Sequence, residues 1–129
     1  MPRLQIIFPH ISGSDASGLV METAVGVNNI KVGDEVLVHS TIGCQHCSFC
    51  SKGLEFFCRE FKIWGFQTGP FDGGYSQYVS LPANNLIPKP QSLSWEETAS
   101  LPLVLETVWR ILVKKARIRS GDLVLIRGA

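Results

Sequence analysis

The sequence predicts a mostly β chain that closes on one helical stretch and the first strand of an α/β unit. Three observations predict it. Short valine-rich runs between glycine, proline and aspartate turns recur up to residue 90. Ser94-Trp95-Glu96-Glu97 offers a hydroxyl N-cap with glutamate at N3, and apolar residues at helical spacing follow it. Ser120-Gly121-Asp122 then turns the chain into LVLI, the compact apolar run of a buried parallel strand.

In chain order, GLVMETAV (18–25) reads as a strand broken at Gly26. Lys31-Val32-Gly33-Asp34 makes a turn into a strand from Glu35 to His39. Residues 40–58 are irregular, and Gly65, Gly69, Pro70, Gly73 and Gly74 mark a loop. Tyr75–Leu81 alternates as a short strand, and residues 84–90 read as a connector or edge strand closed by Pro88 and Pro90. A short helix follows Ser94, with Pro102 as its boundary. A second run extends from Leu103 to about Ala116, built on Leu105, Val108, Leu112 and Val113, with Lys114, Lys115 and Arg117 at its C-terminal end. Trp95 and Trp109 read as core anchors. Both ends look unfinished, so the expectation is a fragment or a severely shortened protein.

The chain has 129 residues, 45% of them hydrophobic, and a formal net charge of +1. That suits one domain with a real core. It argues against nucleic acid or an anionic membrane surface as a partner. No run of 18 apolar residues appears, and the start lacks a convincing cleavage site, so the expected location is the cytoplasm.

All four cysteines lie in one stretch: Cys44, Cys47, Cys50 and Cys58, spaced C-x2-C-x2-C-x7-C. Four clustered thiols without a secretion signal read as metal ligands, and four thiolates favour tetrahedral Zn2+. An iron–sulfur site and unliganded or oxidised thiols are the alternatives. Four protein ligands leave no open position, so such a zinc is structural. His46 reads as a surface residue or an outer hydrogen-bond donor, with Lys52 and Arg59 offsetting thiolate charge.

The chain resembles the medium-chain dehydrogenase/reductase superfamily, whose zinc alcohol dehydrogenases carry a structural zinc lobe with this spacing. The resemblance runs through GSDASG (13–18), VGDEVLVH (32–39), FDGGYSQYV (71–79), LIPKPQSLSWEETASLPLVLETVWRIL (86–112) and SGDLVLIRGA (120–129). It implies a GroES-like catalytic domain over 1–103, a partial barrel lacking its first strands, with the zinc lobe at 44–58. Residues 104–129 would be the start of a Rossmann domain for NADP or NAD, stopping at Gly128, the first glycine of the cofactor fingerprint. The fragment alone is then expected to be inactive and to bind nicotinamide cofactor weakly.

Zinc-dependent members carry Gly-His-Glu where this chain has Gly13-Ser14-Asp15, and a later ligand, usually cysteine, near Leu103. Two of three catalytic ligands are therefore missing, unless His10 or His39 supplies one in a different geometry. The resemblance then implies a metal-free redox site reducing an activated carbon–carbon double bond in an enoyl-thioester, enal or quinone. Several motifs are similar to the crotonyl-CoA carboxylase/reductase branch. Its carboxylating members read Trp-Gly-Phe-Glu, and this chain reads Trp64-Gly65-Phe66-Gln67, which puts carboxylation in doubt.

The residues implied in catalysis are Phe66, Gln67, Thr107 and His39, with Thr107 and Gly128 toward the cofactor. Plainer readings stand beside them. Trp64 and Phe66 pack the lobe, Gln67 is a surface amide, Thr107 bonds to its own helical turn, and His39 and His10 are ordinary solvent-exposed or hydrogen-bonded histidines. Asp15 organises the Gly13 turn, and Gly73-Gly74 makes a tight turn. A zinc-dependent alcohol dehydrogenase and a stand-alone GroES-like zinc module remain alternative functions, and a homo-oligomer is compatible with either.

Overall fold

The structure, a computed structural model, describes residues 6–66, 69 and 71–128. Strand β1 is Ser17–Leu19, β2 Glu35–Val38, β3 Thr41–Ile42, β4 Lys62–Ile63 and β5 Leu86–Pro88. The helix α1 spans Trp95–Trp109 and continues as a π-helical segment, Arg110–Ala116. One antiparallel sheet has the order β1-β2-β5, and β3 pairs with β4 in a separate two-stranded sheet.

Strand β2 is central because Val36, Leu37 and Val38 are buried in succession, so both of its faces are covered. It pairs Leu37 with Ser17 on one side and with Ile87 on the other. Helix α1 packs on β1 and β2, and the Ser17 hydroxyl donates to the Trp95 carbonyl at 2.6 Å.

After Val38 the chain leaves the first sheet and enters the second within two residues. Asn85, 4% exposed, holds that corner. Its side-chain amide donates to the carbonyls of His39 and Thr41, both at 2.8 Å, while its own carbonyl accepts from the His39 N–H at 2.7 Å.

A second junction brings three backbones together. Gly73 donates to Ile11, Gly74 to Gly13 and Tyr75 to Ser12. Trp64, 2% exposed, lies beneath, its indole N–H donating to the Asp72 carbonyl at 2.7 Å. A side chain at Gly65 would collide with the Gly13 carbonyl, at a φ of +67°. At Gly73 a Cβ would fall 2.6 Å from the Ser12 carbonyl oxygen. Gly73 and Gly74 therefore serve close backbone approach, beyond the tight turn expected of them, and these backbone bonds hold the Gly13 turn.

The mostly β expectation is overturned. The fold is mixed α/β, with one long helix and small sheets that do not close into a barrel. Tyr75–Leu81 forms no strand: the Tyr75 N–H goes to the Ser12 carbonyl, and the Ser76 hydroxyl bonds the Gly73 and Tyr78 carbonyls in a bend. GLVMETAV shortens to its first residues, and LVLI is exposed and unpaired into a sheet. Pro102 does not end the helix. It lacks one N–H, but it is buried with Thr98 in the helix face that packs inward, and the capping box secures the start. Both halves of that box are present: Glu97 N–H to Ser94 Oγ at 3.1 Å and Ser94 N–H to Glu97 Oε2 at 2.9 Å. Trp95 and Trp109 are not core anchors. Both are exposed, Trp109 by 54%, and Trp95 stacks under the Lys89 ammonium.

The backbone junction makes a direct prediction. Gly65→Ala lowers stability by about 2 kcal/mol or more, from the left-handed backbone and the collision together. Gly18→Ala, with open space around it, changes the thermal midpoint little. Equal midpoints for the two variants would refute the close-packed junction.

Candidate functional site

The cysteine lobe is shaped by two short 3-10 turns, Cys50–Lys52 and Glu55–Phe57. Gly53, in the left-handed region, caps the first of them and donates back to Cys50. The Cys47 and Cys50 Sγ atoms are 3.6 Å apart, Cys44 and Cys50 4.0 Å, and all four lie within 4.8 Å of one another. A tetrahedron with Zn–S bonds of about 2.3 Å has edges of about 3.8 Å. The four sulfurs thus fit a single tetrahedral ion, and they sit too close together to straddle a polynuclear cluster. No disulfide joins them.

Backbone amides support the thiolates. Cys50 N–H points at Cys47 Sγ, while Cys44 N–H and Glu60 N–H point at Cys58 Sγ. The Cys50 amide is the main reason the Cys47 thiol drops to about 6, whereas burial lifts Cys50 to about 12. Cys44, His46 and Glu60 form a competing donor set. It shares Cys44 and is otherwise exposed, and a zinc ion choosing between them favours four thiolates. His46 Nδ1 bonds the Cys44 carbonyl at 2.7 Å, in keeping with an outer role.

A second constellation stands at the β2–β3 corner. His39 Nε2 lies 3.2 Å from Glu106 Oε2, and the Thr41 hydroxyl donates to the same oxygen at 2.9 Å. The hydrogen bond to Glu106 is the main cause raising the His39 pKa, against the lowering effect of burial. The same bond is the main cause lowering the Glu106 pKa. One helical turn on, the Arg110 guanidinium lies 4.0 Å from the Phe56 ring centre and 4.9 Å from that of Phe57. Phe56 and Phe57 belong to the lobe and form an aromatic cluster with Phe49 and Phe61. Helix α1 is thereby fastened to the corner through Glu106 and to the lobe through Arg110.

Of the residues singled out in the sequence, Thr107 is exposed and its hydroxyl donates to the Leu103 carbonyl at 2.8 Å, the plainer of its two readings. Phe66 is half-exposed beside the buried Trp64, and Gln67 lies outside the described residues. Gly128 has a left-handed φ of +83° and is exposed. Ser14 and Leu103 are half-buried. His10 Nε2 is buried without a hydrogen-bond partner among the described residues. Neither His10 nor His39 joins a group of potential metal ligands among the described residues. A cleft of about 640 Å3 runs beside the lobe, walled by Ile42, Ile63, Trp64 and Phe71 with Gln45 and Glu60 at its polar edge. Glu106, Arg110 and Asn85 were missed in the sequence. The signal for the first two was a lone carboxylate in an apolar helical run with an arginine four residues on.

A small antiparallel sheet, a four-cysteine lobe and a crossing helix define a metal-lobe domain of the zinc-type oxidoreductases. The chain belongs to the alcohol dehydrogenase GroES-like domain family, whose profile matches residues 3–91. It is 42% identical to crotonyl-CoA reductase from Streptomyces avermitilis over 93% of its length, and covers 27% of that protein. Against crotonyl-CoA carboxylase/reductase from Cereibacter sphaeroides the identity is 38%, over 93% of this chain and 28% of that one. Among solved structures, an NAD-dependent alcohol dehydrogenase superposes with a TM-score of 0.84 at 38% identity, over 91% of this chain and 33% of that one. A 2-octenoyl-CoA carboxylase reductase from a Streptomyces species gives 0.78 at 38%, over 88% and 26%. The chain thus spans about a third or less of the length of these relatives.

Two predictions belong to this geometry. The purified chain binds one zinc per molecule by elemental analysis, and Cys58→Ser removes most of that zinc and lowers the unfolding midpoint. Unchanged zinc content in the variant would sink the four-thiolate assignment. The His39–Glu106 pair gives stability a pH window. A raised His39 pKa contributes fully below 6.5, its ordinary value, and is lost as pH rises through the folded value. A lowered Glu106 pKa contributes fully above 4.5 and is lost as pH falls through the folded value. The difference in midpoint between wild type and His39→Gln is therefore largest between pH 4.5 and 6.5. A difference that grows above pH 8 would contradict the pairing.

Proposed function

We propose that this chain belongs to an NAD(P)H-dependent oxidoreductase that reduces an activated carbon–carbon double bond, with an enoyl-thioester as the substrate class, and holds zinc only in its structural lobe. The observation that carries the reading is the donor chemistry. The one well-formed metal-ligand set among the described residues is the closed Cys44, Cys47, Cys50 and Cys58 tetrahedron. On the resemblance, Ser14 and Leu103 would stand where zinc-dependent members of the superfamily place ligands. The similarity to two crotonyl-CoA reducing enzymes points the same way. Residues 1–103 would form the catalytic part and 104–129 the start of the cofactor part, with α1 carrying the chain across that boundary.

When bound, the reduced nicotinamide supplies a hydride to the β-carbon. The double-bond electron pair moves toward the thioester oxygen as an enolate, and a proton returns to the α-carbon. The chain's own residues hold and shield this chemistry. Thr107 lies on the exposed face of α1, where it would meet the nicotinamide region. Phe66 offers an exposed ring at the mouth of the Trp64 junction. The four cysteines would hold zinc as a cross-link of the lobe and do no Lewis-acid work, because their thiolates fill its coordination shell. Gln67 keeps the shape of a glutamate but carries no charge and transfers no proton, so the reading is reduction without carboxylation.

The test is a substrate panel with the purified protein that carries this chain: crotonyl-CoA, a simple enal and a quinone with NADPH, and primary alcohols with NAD+. Deuterium from labelled NADPH should appear at the β-carbon of saturated acyl-CoA, with no carboxylated product in bicarbonate. Alcohol oxidation that needs a second metal equivalent, with no alkene reduction, would replace this reading by that of a zinc-dependent alcohol dehydrogenase.

A further inference from the structure

One carboxylate oxygen of Glu106, Oε2, meets both His39 Nε2 and the Thr41 hydroxyl. Both donors come from the same two-sheet corner. That corner is a fixed reference, because Asn85 clamps the His39 and Thr41 carbonyls and pairs with the His39 N–H. Glu106 precedes Thr107, and successive helical residues are about 100° apart around the axis, from 3.6 residues per turn. Holding the azimuth of one therefore holds the other. The Thr107 hydroxyl is itself tied to the Leu103 carbonyl, so its orientation travels with the helix.

We propose that Glu106 is a positioning residue: by gripping His39 and Thr41 it sets the rotation of α1, and with it the direction in which Thr107 faces. The inference rests on the reading that Thr107 meets the cofactor. It adds a residue that touches neither cofactor nor substrate.

The carboxylates that face His39 favour its cationic form, against the lowering effect of burial. Glu106 faces it from α1 and Glu55 from the lobe turn. Arg110 and His39 are the cations that act on Glu106. As pH rises through the His39 midpoint, the imidazolium–carboxylate contact becomes a neutral hydrogen bond, and the grip on the helix loosens. Arg110, four residues further along the helix, keeps its hold on Phe56 and Phe57, so the loosening is a local rotation about α1 and not a release of it.

Backbone and imidazole NMR of the 129-residue chain reads this directly, since its histidines number only three. In wild type the amides of Leu103 and Thr107 should titrate with the His39 midpoint, and those of the Ser94–Glu97 cap should not. In Glu106→Gln, which keeps shape and loses charge, the His39 midpoint falls toward 6.5 and the Thr107 response disappears. Glu106→Asp, with charge but less reach, recovers part of it. Thr41→Val removes one donor and weakens the response without abolishing it. A Thr107 amide indifferent to His39 in wild type, or one responding equally in Glu106→Gln, overturns the proposal. A separate arm measures NADPH affinity in Thr107→Val of the protein that carries this chain. Unchanged affinity there would defeat the reading of Thr107 as a cofactor contact while the NMR result stood on its own.

Discussion

The buried amide of Asn85 is the interaction on which the arrangement turns. Strand β2 belongs to one sheet and β3 to another, and the chain has only His39 and Ser40 in which to change between them. Such a corner leaves backbone carbonyls facing inward with no strand partner. A buried carbonyl without a hydrogen bond costs about 1–3 kcal/mol, and the two of His39 and Thr41 would both be at risk. One side-chain amide, with two donor hydrogens, satisfies both. Its position then decides where His39 points, where the Thr41 hydroxyl stands, and where the chain enters the cysteine lobe at Cys44.

From that corner two weak attachments hold the helix. A partly exposed ion pair contributes between about 0 and 1 kcal/mol. A cation–π contact at an exposed site contributes about 0.5–1 kcal/mol. Neither would position a helix alone. They act on the same helix four residues apart, Glu106 toward the corner and Arg110 toward Phe56 and Phe57, while Thr98 and Pro102 supply the buried face. The effect is geometric more than energetic. The packed face fixes the distance of the helix from the sheet, and the two polar attachments restrict its rotation.

How much of this was legible in the sequence depends on how local each signal was. The cysteine set was fully legible, because metal spacing is a short-range pattern and the sulfurs do converge. The Ser94 cap was legible for the same reason. Strand content was not. Tyr75–Leu81 and LVLI have strand-like composition, but a strand exists only where another backbone accepts its ladder. Residues 11–13 had already claimed the start of the first segment, and the second has no neighbour among the described residues. Pro102 misled in the other direction, since a helix with a capped start and a buried face tolerates one missing N–H. His39 was singled out for its chemistry, but its partners Glu106, Thr41 and Asn85 are separated from it by 2 to 67 residues, and no spacing rule connects them.

The lobe and the corner also divide the labour of the domain. A tetrahedral ion bound by four thiolates has no site left for a reacting atom, so whatever the lobe contributes must be mechanical. Its mechanical contact is visible: the Glu55–Phe57 turn that precedes Cys58 places Phe56 and Phe57 under Arg110. An unanchored lobe would leave those rings free to move, and Arg110 would lose the surface that restrains its end of the helix. The Glu106 grip would then be the remaining polar restraint of the two. A lobe built this way needs no catalytic role for its ion, because four thiolates that fill the coordination shell leave the ion only a mechanical one. Its contribution would reach the helix through Phe56, Phe57 and Arg110.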